Sequence, residues 1–107
     1  MIEEQDIEKA LDYLRDNVEE AAQARANKIY LIEYRKVLKA ELMGESNEAA
    51  VGAQERHAYA HPKMKEFLVG LKEAVYQDAK QDFLRSAAET KISAWQTQIK
   101  AQSGPRP

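Results

Sequence analysis

The stretch GESNEAAVGAQERHAYAHP, residues 44–62, decides the fold, because it holds the punctuation between the two long apolar-periodic parts of the chain. Gly44 suits the end of one helix, and Ser46 and Asn47 are N-cap residue types, so a short second helix is expected from about Glu48 to Tyr59. His61-Pro62 closes it. The residue before a proline is biased out of the α region, while proline suits the first turn of a following helix.

On the N-terminal side, Ile7, Leu11, Leu14, Val18 and Ala21 step by four and three residues, and Ala24, Leu31, Tyr34, Leu38 and Leu42 continue the stripe after a three-residue shift. That spacing predicts one long helix from about Glu4 to Met43, kinked or overwound around residues 21–24. On the C-terminal side a third helix is predicted from about Pro62 to Ala101. Its first half carries Met64, Phe67, Leu68, Leu71, Val75 and Ala79 on one side, and its second half carries Leu84, Ala88, Ile92, Trp95 and Ile99 on a rotated side. The polar run QDAKQD, residues 77–82, sits at the change of face. Two faces imply two partners, and an oligomer interface at Leu84, Ala88, Ile92, Trp95 and Ile99 is the simplest second one. The fold class is all-α: two long helices flanking a short middle helix, a helical hairpin assembling into a homo-oligomer. Residues 1–101 form one helical domain, and 102–107 read as a disordered tail.

A chain of 107 residues is one domain in size and buries only part of its surface on folding. Hydrophobic residues make up 44% but aromatics only 7%, so the core of a single copy is thin and association would supply burial. The absence of cysteine excludes disulfides and thiolate metal sites. MIEEQDIEKA, residues 1–10, is acidic and lacks an apolar core, unlike a signal or transit peptide, and no run approaches the roughly 18 to 20 apolar residues of a membrane span. These features point to a cytoplasmic protein.

The net charge of −2 hides a polarity along the chain. Residues 1–20 hold eight acids against Lys9 and Arg15, whereas residues 21–43 hold Arg25, Lys28, Arg35, Lys36 and Lys39 against Glu33 and Glu41. On a helix, Arg25, Lys28, Arg35 and Lys39 fall within about 80° of one another, with Ile32 in the strip and Lys36 at its edge. Two readings of this stripe stand side by side. The cations pair structurally with acids, those of residues 1–20 being an obvious set, or they track an anionic ligand such as a phosphate backbone.

Other chemistry finds little support. His57 and His61 stand four apart, as metal ligands on a helix would, but the proline turns His61 away from helical geometry and separates the pair, and Glu55 points elsewhere. Ser46, Ser86, Ser93 and Ser103 lack a nearby histidine to activate them, and the four glycines form no phosphate loop. The expectation is a non-enzyme with no cofactor and no metal.

The order of elements, the segment KVLKAEL at 36–42 and the ending KISAWQTQIKAQ at 91–102 resemble the UvsY-like recombination mediators of phages. Lys36, Val37, Leu38, Lys39, Ala40 and Leu42 match a family segment, and Glu41 stands where that family has arginine. The resemblance implies a homo-oligomer of helical subunits that binds single-stranded DNA and helps load a RecA-like recombinase, with that recombinase or a single-strand-binding protein as partner. Lys36 and Lys39 take the DNA-contacting role by position, within a candidate nucleic-acid surface of Arg25, Lys28, Arg35, Lys36 and Lys39. The competing expectation is a phage-encoded helical interaction protein, an assembly factor or an inhibitor of a host protein, with no nucleic-acid role.

Overall fold

The computed structural model describes residues 1–103; of the tail expected at 102–107, Gln102 is the last residue of the final helix, and residues 104–107 lie outside the described residues. Every regular element in the described chain is helical: α1 (Glu4–Asp16), α2 (Val18–Gly44), α3 (Val51–Ala60) and α4 (Pro62–Gln102). The fold is all-α, with long helical arms flanking the short α3. The chain divides into two compact units, one built from Met1–Ala22 with the chain from Ala79 onward, the other from Gln23–Asp78.

The central unit is a helical hairpin closed by α3. Leu38 and Leu42 of α2, Ala58 of α3 and Met64 of α4 form its buried core, with Tyr34, Met43 and Phe67 packed against it. Leu42 and Met64 are its largest fully buried side chains. Burial of one such side chain contributes about 1.5–3 kcal/mol. The hinge differs from its expected form in three respects. First, α2 runs through Gly44, and no described glycine has a positive φ, so Gly44 ends the helix without a left-handed cap. Second, Glu48–Ala50 stay outside α3. Ser46 Oγ accepts the Glu48 N–H at 3.0 Å, and Gln54 Nε2 donates to the Glu48 carbonyl at 2.9 Å, so those backbone groups are satisfied in a turn rather than in a helix. Third, His61 does take an extended ψ of 138°, yet its Nδ1 accepts the Lys63 N–H at 3.0 Å. The imidazole is therefore the N-cap of α4, with Pro62 at the first helical position.

In the other unit, α1 packs on the second half of α4. Its start is set by charge: Asp6 Oδ2 accepts the Glu3 N–H at 3.2 Å, and Glu4 and Asp6 place carboxylates where the helix dipole favours them. Ile7 and Ala10 are the buried residues of α1. Gln98 clasps the chain start, donating to the Ile2 carbonyl at 3.2 Å and accepting its N–H at 3.4 Å. The expected single helix over Glu4–Met43 is interrupted at Asn17, four residues before the expected shift at Ala21. Asn17 has φ −98° and ψ 4°, and its amide donates to Tyr13 Oη at 3.0 Å and to Gln81 Oε1. The backbone bonds Asn17 N–H to Tyr13 C=O and Ala21 N–H to Asn17 C=O, both 3.0 Å, carry the ladder past the irregularity, so α1 and α2 are separated by this one residue.

The stripes themselves need correcting. Leu11 and Val18 are 52% and 54% exposed, and their places facing inward are taken by Ala10 and Asn17. On α4, buried and half-buried residues step by three and four from Met64 through Phe67, Leu71, Ala74, Asp78, Gln81, Arg85, Ala88 and Ile92 to Trp95. The covered row passes through residues 77–82 without a break, so the polar run is no switch of face. Leu68, Val75, Leu84 and Ile99, which the two-face reading assigned to partners, are each about two-fifths exposed, and Asp78 and Gln81 lie among the inward positions. Large apolar side chains therefore mislead here, because small and hydrogen-bonded polar residues occupy part of the seam.

Candidate nucleic-acid interface

The five cations of α2 meet three different surroundings. Arg25 Nε donates to Asp78 Oδ1 at 3.1 Å, and Lys28 Nζ donates to Asp78 Oδ2 at 2.6 Å. Asp78 is 4% exposed, so the inward spacing of α4 delivers a carboxylate and α2 answers it with two charges on successive turns. Charge-assisted bonds of this length are among the stronger ones in proteins, and they answer the cost of burying the carboxylate. The hydrogen bond from Lys28 holds the Asp78 carboxyl below its ordinary value of 3.8; burial pushes it the other way, and Arg25 adds to the lowering.

Lys39 is engaged differently. Its Nζ lies 3.7 Å from Glu55 Oε1 and 5.2 Å from the centre of the Tyr59 ring, so α3 supplies both an ion pair and an aromatic face. The aromatic contact contributes about 0.5–1 kcal/mol and the screened ion pair about 0.2–1 kcal/mol.

Arg35 and Lys36 complete the set on the outside of α2. Both are exposed. Lys36 Nζ reaches Glu33 Oε2 at 3.1 Å on its own helix, and both side chains are about two-thirds exposed. Pairs of that kind contribute about 0.3–0.5 kcal/mol and yield readily to a competing anion. Arg35 makes no ion pair among the described residues. The stripe is thus one row in helical angle but divides in function, with Arg25 and Lys28 drawn inward, Lys39 held at its side, and Arg35 and Lys36 presented outward.

The aromatic residues near it form a separate line. Tyr30, 63% exposed, stacks on Tyr34 with ring centres 6.0 Å apart, and Tyr34 leans on Phe67 at 5.9 Å. Tyr30 and Arg35 are about 140° apart around α2, so the stack flanks the cations rather than interleaving with them.

The partner of Arg25 and Lys28 was not anticipated, although a signal existed. Asp78 lies two heptads after Met64 and one after Leu71, which places it on the inward row. The expected acids were those of residues 1–20, whereas the carboxylates that meet Lys28, Lys36 and Lys39 are Asp78, Glu33 and Glu55.

Of the five proposed oligomer-interface residues, Ala88, Ile92 and Trp95 are half-buried within the chain's own unit, and Leu84 and Ile99 remain exposed. An open groove of about 260 Å³ borders this set, lined by Ala10, Tyr13, Leu84, Ala87 and Ala88 together with the charged Asp6, Lys9 and Lys91. His57 and His61 do not diverge as expected. Their rings meet edge to face with centres 5.9 Å apart, because the His61 side chain folds back while its backbone turns. No group of three or more His, Asp or Glu residues among the described ones could hold a metal ion, and no helix among them is long and apolar enough to cross a membrane.

Neither a protein-family model, nor a curated protein, nor a solved structure matches this chain.

Proposed function

We propose that this chain is a phage-type accessory protein of recombination that binds single-stranded DNA as an oligomer and assists a RecA-like recombinase. The observation that carries the DNA-binding part is the outward pair Arg35 and Lys36: one cation without an ion pair among the described residues, the other held only by a weak exposed pair. The likeness of residues 36–42 to the mediator segment supports the rest. Two cations per subunit bind only a few phosphates, so useful affinity requires that several subunits present them together, each contact raising the effective concentration of the next.

The test is a titration of labelled oligothymidine at low and moderate salt beside light scattering of the protein alone. The reading expects saturable binding that weakens with salt while the assembly persists, and its loss in an Arg35→Gln, Lys36→Gln variant that keeps its helical circular dichroism. Unchanged affinity in that variant would remove the pair from the mechanism.

A second reading, a helical interaction protein with no nucleic-acid role, is favoured by one observation. The groove at Ala10, Leu84 and Ala88 is mainly apolar in its lining, which also includes Asp6, Lys9 and Lys91, and an apolar floor with charges of both signs suits a protein segment better than a nucleic acid. Absence of DNA binding at low salt would select it.

A further inference from the structure

Position 78 is inward on α4, where an apolar side chain would pack without desolvation cost, and yet it holds a carboxylate. Each carboxylate oxygen receives a separate charged donor: Oδ1 from Arg25 Nε at 3.1 Å and Oδ2 from Lys28 Nζ at 2.6 Å. Two oxygens on one small anion, met by a guanidinium and an ammonium, is also how such side chains take a phosphate. Both cations belong to the same angular row as Arg35, which faces outward. The Arg25 side chain is 52% exposed, and Lys28 carries a long stem that can bring its ammonium to the surface, so neither is locked inside by packing alone.

We infer that Asp78 is an autoinhibitory stand-in for phosphate, occupying Lys28 and Arg25 so that the resting protein offers an anionic ligand only the outer part of its basic row. The inference rests on the anionic-ligand reading of α2 and states how that surface is regulated. Because the carboxylate is part of the same chain, its effective concentration at the two cations is far above that of a DNA phosphate in solution. Strong binding through the inner cations then requires that the hairpin loosen at Asp78, or that enough neighbouring phosphates act together to displace it.

The deciding experiment compares Asp78→Asn with Glu66→Gln, which also removes one negative charge from α4 but at an exposed residue. Affinity for oligothymidine is read across a salt series. Asp78→Asn is expected to bind severalfold tighter than Glu66→Gln and to steepen the slope of log affinity against log salt by about 0.7 for each phosphate newly engaged. Equal behaviour of the two variants would overturn the inference and leave the outer-pair reading intact. Should Asp78→Asn lose its helical circular dichroism, Arg25→Gln with Lys28→Gln decides instead. Wild-type affinity in that double variant supports occupation by Asp78, and a loss matching that of Arg35→Gln, Lys36→Gln overturns it. If neither wild type nor any variant binds oligothymidine, the DNA reading fails by itself. Elution from immobilised heparin then decides the inference: later elution of Asp78→Asn than of Glu66→Gln upholds it, and equal elution ends it.

Discussion

At Gln81, one side-chain oxygen accepts from both Tyr13 and Asn17, and at Asp78 one carboxylate accepts from two cations, so two successive inward positions of α4 carry polar acceptors that meet donors. Replacing Gln81 by Met keeps the volume but removes the acceptor of the Tyr13 hydroxyl and leaves the Asn17 amide only its bond to Tyr13 Oη. The expected loss is about 1–3 kcal/mol in urea unfolding, and a change under about 0.5 kcal/mol would mean that water takes over the acceptor role. Asp78 gives a pH prediction with a definite sign. Its folded carboxyl titrates below the ordinary value of 3.8, so its contribution to stability is fully present above the unfolded carboxylate range and is lost as pH falls through the lower folded value. The melting temperature of the wild type should therefore fall more steeply below about pH 4 than that of Asp78→Asn, and parallel curves would show that the carboxylate contributes nothing.

Among the elements, α1 and α2 carry the main correction to the apolar pattern. Leu42, 1% exposed, and Leu11, 52% exposed, lie on the same predicted stripe but in different surroundings. Leu42→Ala is expected to cost about 2–5 kcal/mol, because a cavity opens against Ala58 and Met64, whereas Leu11→Ala should stay within about 0.5 kcal/mol. Equal costs would restore the original stripe. Asn17 is the other informative residue of this arm. Its polar side chain lies on the seam, and the residue leaves helical geometry where propensity alone would continue the helix, its amide meeting Gln81 across the seam.

Over the whole molecule, the two units differ in what holds them. The central unit has a fully buried cluster at Leu42, Ala58 and Met64, while in the other unit Ile7 and Ala10 are the buried apolar residues among those described. Amide exchange should accordingly be slowest around residues 38–42 and 58–67 and faster throughout α1. If α1 is instead protected in step with protein concentration, a second copy covers it, which the groove beside Leu84 and Ala88 would accommodate.

The short middle element and the start of α4 at Pro62 were legible in residues 44–62, since proline geometry and periodicity act through near neighbours in the chain, whereas the division of the first expected helix into α1 and α2 at Asn17 was not. The outward position of Lys36 was legible in the same way, from its angle at the edge of the stripe. What escaped was every feature that needed a partner distant in sequence. Asn17 and Gln81 are 64 positions apart, and Lys28 and Asp78 are 50 apart. Composition marked QDAKQD as a break between faces, because a polar residue reads as solvent-facing until something is placed opposite it. Once α2 and α4 are brought together, a hydrogen bond or ion pair makes the same residue an inward one. Local propensity and periodicity determined where this chain is helical; only the tertiary pairing decided which side of each helix is covered and which of its cations remain available to a ligand.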